Sequence, residues 1–297
     1  MSFELRRNRI DSLKKWKCTK VHDLITSFKV PYEGLEQLKN SVKNYISKAM
    51  SISFEPDDES FIKIIDKSRN LTNITPNGAV VPKREYLLEY NIFIREWTDI
   101  MKNIVSPAPE ILNRFRLTPN IRIKFSEEIE ENKNRDLNTS LPHSDGWLEG
   151  PWGMNCFMPL FGDTSNNTLK YFQPKAGLFK EEFVQINPSY KDMQWVLEYY
   201  EDLDFIPEKN IIYFSDYSMI HKTHKYKENS GTRISIDTTL YIGNNPPHPD
   251  RELEYEKDFL NIGIDKIIDP GLYSNEKNKK LTTFSHYTSG KRKIINL

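Results

Sequence analysis

The chain has 297 residues, of which 37% are hydrophobic and 12% aromatic, enough for one large domain or two small ones with a buried core. Its 42 basic and 42 acidic residues cancel, which argues against nucleic-acid and anionic-membrane binders, because both normally carry excess basic charge. The N-terminus lacks the apolar run of a signal peptide, and no segment is apolar enough for a membrane helix. Two cysteines without a spacing motif are typical of a reducing compartment, so we expect a cytoplasmic protein.

The first part of the chain has the residue spacing of amphipathic helices. An apolar stripe at helical spacing covers Leu35–Met50, a short helix is predicted over Asp58–Ser68, and a longer one over Lys83–Val105. Pro107 ends the last of these helices. Residues 1–110 are therefore expected to form a helical layer that packs on the part that follows.

After the prolines the apolar period changes from helical to strand-like. Asn120–Phe125 alternates isoleucines with Arg122 and Lys124, which predicts a strand with one buried face and one solvent-facing side. A helix is predicted over Tyr190–Leu203. Further strands are predicted over Met154–Leu160, Thr168–Phe172, Ile211–Phe214 and Arg233–Ile242. Short strands behind helices favour a β-sandwich or open barrel over residues 111–245, with residues 246–297 as a C-terminal extension.

The histidines carry the strongest chemical signal. His143 and Asp145 are two residues apart, so an extended backbone projects both side chains to one face, and His221 follows a predicted strand across a short turn. Two imidazoles and one carboxylate form the facial triad of non-haem iron(II) oxygenases, which leaves coordination positions open. A His-x-Asp pair alone is weak evidence, since His248–Asp250 is a second one in a proline-rich turn.

A second pair of residues strengthens this interpretation. Arg233 and Ser235 lie on one face of the strand predicted at Arg233–Ile242. A guanidinium beside a hydroxyl is suited to bidentate binding of a carboxylate. This strand and Ile211–Phe214 are expected to form a hairpin, which would bring His221 and Arg233 near one another.

Taken in this order, the residues resemble the iron(II)- and 2-oxoglutarate-dependent oxygenases, in the phytanoyl-hydroxylase-like branch found in carbohydrate and antibiotic biosynthesis clusters. The resemblance covers about residues 118–242. It implies a mainly β fold with helices, in which a double-stranded β-helix (jelly-roll) core carries the N-terminal helical layer. It implies iron(II) bound by His143, Asp145 and His221, and 2-oxoglutarate held by Arg233 and Ser235, with Asn155 near the co-substrate.

The resemblance also implies an activity. O2 and 2-oxoglutarate would be used to remove a hydrogen atom from a small polar biosynthetic metabolite, most simply to hydroxylate it, with succinate and CO2 as co-products. Desaturation, cyclisation and epimerisation start from the same hydrogen abstraction and stay open. A sugar or sugar-nucleotide-type metabolite is one expected substrate, and the oligomeric state is not indicated.

Two other protein classes remain as alternatives. One is a cupin-like jelly roll that binds a metal and acts as a sugar-binding protein or isomerase. Such a protein does not need Arg233 and Ser235. The other is an interaction protein that uses its helical N-terminus, with a degenerate barrel; the intact candidate ligands argue against it.

Three further residues are candidate substrate contacts. Trp147 and Trp152 flank a glycine-rich loop just after the first two ligands, and they either stack on a flat substrate ring or anchor the loop in the core. His224 competes with His221 for the third ligand position. We favour His221, because it follows a strand after a short turn, whereas His224 lies among lysines and is either solvated surface or a substrate contact.

Overall fold

The computed structural model describes residues 2–68, 71–116, 119–127, 138–176, 178–242, 255–256, 266–274, 287–289 and 293–297. The α-helices are α1 (Phe3–Ser12), α2 (Tyr32–Met50), α3 (Asp58–Ser68), α4 (Leu87–Val105) and the single turn α5 (Gly146–Glu149). The strands are β1 (Thr19–His22), β2 (Ile25–Lys29), β3 (Leu112–Arg116), β4 (Asn120–Lys124), β5 (Gly153–Gly162), β6 (Asn167–Pro174), β7 (Tyr200–Leu203), β8 (Ile211–Asp216), β9 (Ile220–Lys225), β10 (Arg233–Ile242), β11 (Tyr255–Glu256), β12 (Lys266–Asp269), β13 (Leu272–Ser274), β14 (Tyr287–Ser289) and β15 (Lys293–Asn296). Short 3₁₀ helices cover Leu13–Trp16, Arg84–Tyr86, Pro109–Ile111, Glu181–Val184 and Gln194–Tyr199. Among these elements, no helix has the length and apolar character needed to cross a bilayer.

Two antiparallel sheets organise the described chain. The larger sheet has the order β1-β2-β8-β5-β10-β3-β11, and β4 also pairs with β10. The smaller sheet has the order β7-β6-β9. Two separate strand pairs, β12 with β15 and β13 with β14, come from the C-terminal part. The fold is thus mainly β with helices, as the sequence predicts.

The main core lies between the helices and one face of the larger sheet. Alternate residues of its strands point toward α2, α3 and α4, and these residues are apolar and buried: Ile121, Ile123, Met154, Cys156, Met158, Ile212, Phe214, Ile234 and Ile236. Because side chains alternate along a strand, Arg233, Ser235 and Asp237 project from the opposite face. The polar set is therefore held on a sheet whose other face is anchored by the core.

The strand predictions are confirmed apart from their ends, but one predicted helix is wrong. Residues predicted as a helix over Tyr190–Leu203 form the 3₁₀ helix Gln194–Tyr199 followed by β7. Strand β7 pairs with β6, with Tyr171 opposite Leu203. Pairing with a neighbouring strand overrides the helical spacing of this segment. The short hairpin of β1 and β2, which extends the larger sheet beside β8, also lies within the part predicted to be helical.

The predicted hairpin of β8 and β10 is also wrong. Strand β5 lies between them, with Phe157 opposite Tyr213 on one side and opposite Asp237 on the other. After β8 the chain turns into β9, which joins the smaller sheet. His221 and Arg233 therefore lie in different sheets. The second His-x-Asp pair, His248–Asp250, falls outside the described residues, and the division at residues 110 and 245 stays a prediction.

Helix α1 is joined to the sheet by a buried ion pair. Arg6 is 1% exposed, its Nη1 lies 2.7 Å from Asp216 Oδ1, and its Nη2 donates to the Pro151 carbonyl at 2.7 Å. Asp216 ends β8 shortly before His221, and Pro151 follows Asp145 in the chain. Burial raises the pKa of Asp216, but the charges of Arg6 and Arg9 outweigh it and keep that pKa below its ordinary value.

We predict that Arg6→Leu lowers the free energy of unfolding at pH 7 by about 3–5 kcal/mol, because it leaves the Asp216 carboxylate buried without its main partner. Since the folded pKa of Asp216 is depressed, its contribution is present above the unfolded pKa of about 3.9 and is lost as the pH falls. The difference between wild type and variant should therefore shrink below about pH 4. Urea unfolding across this pH range measures it.

The exposed pair of Lys14 and Asp11 provides the control, because the Lys14 side chain is 62% exposed. Lys14→Ala should change the free energy of unfolding by less than about 1 kcal/mol. Equal losses in the two variants, or a loss in Arg6→Leu that does not depend on pH, would contradict the role given to the buried pair.

Candidate metal centre

The structure brings His143, Asp145 and His221 together. Their candidate ligand atoms all lie within 4.8 Å of one another. Nε2 of His143 is 3.9 Å from Asp145 Oδ1, and Nε2 of His221 is 3.9 Å from Asp145 Oδ2. Both histidines are buried. Two imidazoles and one carboxylate facing a common point make a donor set that suits a divalent transition metal such as iron(II).

Backbone hydrogen bonds hold the two histidines side by side. The His143 N–H donates to the His221 carbonyl, and the His221 N–H donates to the His143 carbonyl, both at 2.9 Å. The Nδ1 of His143 lies 2.8 Å from the Leu141 carbonyl, so a proton on Nδ1 leaves the lone pair on Nε2, the atom nearest Asp145. The Tyr190 ring stacks on the His143 imidazole at 4.5 Å. The main-chain bonds thus hold the two backbones together, and the Leu141 carbonyl and the Tyr190 ring fix the His143 imidazole.

Burial keeps both imidazoles neutral. Burial and the neighbouring His221 lower the pKa of His143 well below its ordinary value. Burial also lowers the pKa of His221, although the Asp145 carboxylate raises it in part. Neutral imidazole is the form that binds a metal, so the two side chains are in their binding form at pH 7.

Asn155 contacts the carboxylate of this group. Its Nδ2 donates to Asp145 Oδ2 at 2.5 Å, and Asn155 lies on β5. The sequence predicts Asn155 near the co-substrate; the structure adds a direct contact with Asp145 that sequence reasoning missed. The alternation along β5 could have indicated this contact, because it places the polar Asn155 on the strand face opposite Met154 and Cys156. A carboxylate held in this way is oriented before any metal binds.

A cavity of about 290 Å³ lies between the two sheets, and the three residues open into it. The larger sheet contributes Arg116, Asn120, Arg122, Lys124, Asn155, Phe157, Arg233, Asp237, Thr238 and Thr239, and the smaller sheet contributes Leu169, His221 and Thr223. Tyr190, Leu148, Glu149, Asn77 and Thr139 also line it. The site is therefore a polar chamber between two β-sheets.

The predicted exposure of Arg122 and Lys124 to solvent is wrong. Their alternation with isoleucines predicts a solvent-facing side of β4, but both line the cavity. The smaller sheet covers this face, so its polar residues meet a ligand chamber instead of bulk water. Arg122 is engaged with Asp237, with Nε–Oδ1 and Nη2–Oδ2 distances of 2.5 and 3.1 Å.

Arg233 and Ser235 are buried without visible partners for their polar atoms. They are 1% and 0% exposed, and Arg233 Nε and Nη1 and Ser235 Oγ have no hydrogen-bond partner among the described residues. The Arg233 guanidinium lies 5.3 Å from the centre of the Phe157 ring. Burial lowers the pKa of Arg233 to about 10, which leaves it charged at pH 7. The Asp237 carboxylate raises this pKa only in part. Buried N–H groups without acceptors are costly, so this position is suited to an anionic ligand.

The other three candidate residues lie away from the cavity lining. Trp147 is fully buried and its Nε1 donates to the Phe183 carbonyl at 2.7 Å, so it anchors its loop in the core. The Trp152 ring lies 5.7 Å from the Arg6 guanidinium, outside the cavity. His224 follows Thr223 on β9 and therefore points to the outer face of the smaller sheet, where its ring lies 4.6 Å from Tyr226. These three side chains therefore lie outside the lining of the cavity, and their contact with a substrate stays a prediction.

No protein-family model matches the chain, and no curated protein matches it in sequence. One similar solved structure is SnoK, a non-heme alpha ketoglutarate dependent carbocyclase from nogalamycin biosynthesis. It aligns at 8% identity over 78% of this chain and 83% of its own, with a TM-score of 0.42. AviO1 from Streptomyces viridochromogenes aligns at 12% identity over 81% of this chain and 98% of its own, with a TM-score of 0.43.

A third similar structure is the epimerase SnoN in complex with Fe3+, alpha ketoglutarate and nogalamycin RO. It aligns at 10% identity over 49% of this chain with a TM-score of 0.32, and this chain spans about half, 55%, of its length. All three TM-scores are low, and these likenesses carry no argument about the activity of this chain.

We predict that His221→Ala weakens binding of Co(II), a spectroscopic probe for a divalent metal site, by at least about 100-fold, because a ligand is lost outright. His224→Ala is the matched control, and it should bind Co(II) within about twofold of wild type because His224 faces away from the cavity. Visible absorption titration measures both affinities. The assignment of His221 fails if His224→Ala shows the larger loss.

Proposed function

We propose that the chain is a non-haem iron(II)- and 2-oxoglutarate-dependent oxygenase that acts on a small polar metabolite, most simply by hydroxylation. One observation carries the proposal: the group of His143, Asp145 and His221 opens into the same cavity as the buried, unpartnered Arg233. The chamber thus combines a metal site that has free coordination positions with an anion site. This combination suits a co-substrate that has a metal-chelating end and a distant carboxylate. Two antiparallel sheets on either side of this chamber support a double-stranded β-helix core as part of the proposal.

The proposal gives each residue a role. His143, Asp145 and His221 would hold iron(II), and Arg233 with Ser235 would bind the far carboxylate of 2-oxoglutarate. When bound, iron(II), 2-oxoglutarate and O2 supply the oxidising power that removes a hydrogen atom from the substrate and yields succinate and CO2. Asn155 orients the Asp145 carboxylate through its 2.5 Å hydrogen bond. Phe157 packs against the guanidinium and excludes water from this part of the cavity.

The dimensions of the chamber favour a small substrate. A volume of about 290 Å³ shared with 2-oxoglutarate has space for a metabolite of small size. The zero net charge of the chain agrees with this preference.

A cupin-like protein without oxygenase activity is the second candidate class. It would use the same two histidines and Asp145 for a metal, but it would give no role to a buried guanidinium that has two unpartnered nitrogens. Arg233 therefore favours the oxygenase.

The purified chain, reconstituted with iron(II) and 2-oxoglutarate without O2, should develop the visible charge-transfer band of an iron–2-oxoacid chelate. After O2 is admitted, it should form succinate, slowly without substrate and faster with one. Iron(II) binding without the band and without succinate would favour the cupin-like class. Absence of iron(II) binding would contradict both and favour an interaction protein.

We predict that Arg233→Ala weakens 2-oxoglutarate binding by about 30-fold to several thousandfold, because truncating one partner of a buried charged pair costs about 2–5 kcal/mol. Iron(II) affinity should change little, because Arg233 is not a candidate ligand. Titration of the charge-transfer band gives the 2-oxoglutarate affinity.

Arg84→Ala is the matched control, because Arg84 is 46% exposed and pairs with Asp269 outside the cavity. It should bind 2-oxoglutarate like wild type. An unchanged affinity in Arg233→Ala would remove the main support for the oxygenase.

A further inference from the structure

The ionised groups that line the cavity are almost all engaged within the protein. Arg122 binds Asp237, and Arg116 lies 3.5 Å from Glu149, whose Oε2 also accepts the Tyr217 hydroxyl at 2.9 Å. Lys124 also has a partner. Once Asp145 is assigned to the metal and Arg233 to the co-substrate, no lining charge within the described residues stands without a partner. Among the lining residues that the structure describes, none is therefore left to neutralise a charge on a substrate.

The remaining lining consists mainly of uncharged hydrogen-bonding groups. It includes the amides of Asn77 and Asn120 and the hydroxyls of Thr139, Thr223 and Thr239. The Thr139 hydroxyl is buried and has no hydrogen-bond partner among the described residues. Leu148 and Leu169 are the aliphatic contributions. Such a lining can donate to and accept from a ligand that carries many hydroxyl groups.

Arg122, Asp237 and Asn120 form the densest polar group of this lining. Asp237 accepts from Arg122 at 2.5 and 3.1 Å and from Asn120 Nδ2 at 3.0 Å. The side chains of Arg122 and Asp237 are 24% and 20% exposed, so neither is sealed from the cavity. A neutralised pair of this kind offers donors and acceptors side by side, the arrangement that binds two adjacent hydroxyls.

Stability alone does not explain an ion pair at this place. Charges taken from water lose hydration that their mutual attraction repays only in part, and apolar residues of similar size often serve a fold as well. The opposite face of the same two strands is filled by Ile121, Ile123, Ile234 and Ile236, which already hold β4 against β10. The pair is thus better explained by what it presents to the cavity.

We propose that the substrate is an uncharged, hydroxyl-rich small molecule, such as a neutral sugar or cyclitol, and that Arg122, Asp237 and Asn120 determine this specificity. This inference rests on the proposed oxygenase function and narrows it. It excludes phosphorylated and nucleotide-linked sugars and amine-bearing metabolites as preferred substrates. Each of these would bring a charge into a chamber in which every charged lining residue that the structure describes is already engaged or assigned.

The test uses the full chain loaded with iron(II) and 2-oxoglutarate without O2, since substrate binding beside the metal changes the charge-transfer band. The probes are D-glucose, methyl glucoside and myo-inositol, set against glucose 6-phosphate and glucosamine. We expect at least one neutral probe to shift the band and to accelerate succinate formation when O2 is added. The charged analogues should bind at least about tenfold more weakly. A response confined to charged probes, or no response to any neutral one, overturns the inference.

Two variants then test the residues. With the best neutral probe, Asp237→Asn should lose about tenfold or more in affinity, and Asn120→Ala, which removes one amide, should lose severalfold. Asp202→Asn is the control, because Asp202 pairs with Lys170 outside the cavity and its side chain is 63% exposed. Wild-type affinity in both cavity variants would show that the group is structural only.

The charge-transfer band measured without any probe distinguishes a failure of the proposed function from a failure of the substrate inference. If wild type forms no band, the proposed function itself has failed. If the band forms but the neutral probes leave it unchanged, only the substrate inference has failed. A variant that still forms the band is folded around its metal and co-substrate sites, so a loss of probe affinity in that variant reports on the substrate contact alone.

Discussion

The candidate site depends on the two reciprocal backbone hydrogen bonds between His143 and His221. These residues come from distant parts of the chain, and the 2.9 Å bonds between their main chains hold their backbones side by side at the cavity. The main-chain bonds set the spacing of the two backbones, and the Leu141 carbonyl and the Tyr190 ring orient the His143 imidazole. The Asp145 carboxylate is then directed toward them by Asn155. The fold thus provides a pre-organised donor set, as tight metal binding requires.

The same strands serve the core and the site. Along β10, Ile234 and Ile236 are packed under the helices, while Arg233, Ser235 and Asp237 stand on the other face. Since neighbouring side chains alternate, a shift of the pairing by one residue would expose the isoleucines to the cavity and drive the arginine into the core. The apolar face therefore fixes the register that positions the polar one.

Local patterns in the sequence predict this alternation well, and they predict which residues carry chemistry. The bounds of β10, the stripe of α2 and the pairing of His143 with Asp145 all follow from spacing of one to four residues. Contacts between distant segments do not follow from spacing. The insertion of β5 between β8 and β10, the burial of Trp147 under Phe183 and the orientation of Arg122 into a chamber all depend on which sheet covers which face. A polar strand face looks the same in sequence whether water or a second sheet lies above it.

If Arg233 binds the far carboxylate of 2-oxoglutarate, as proposed, it also links the folding equilibrium to metabolism. A guanidinium that is 1% exposed and lacks partners for two nitrogens destabilises the ligand-free fold, and an anion that binds only the folded form restores that stability. At a concentration of about 100 times its dissociation constant, such a ligand stabilises the native state by about 2.7 kcal/mol. The lifetime of the protein in the cell would then rise and fall with the supply of its dicarboxylate, independently of turnover.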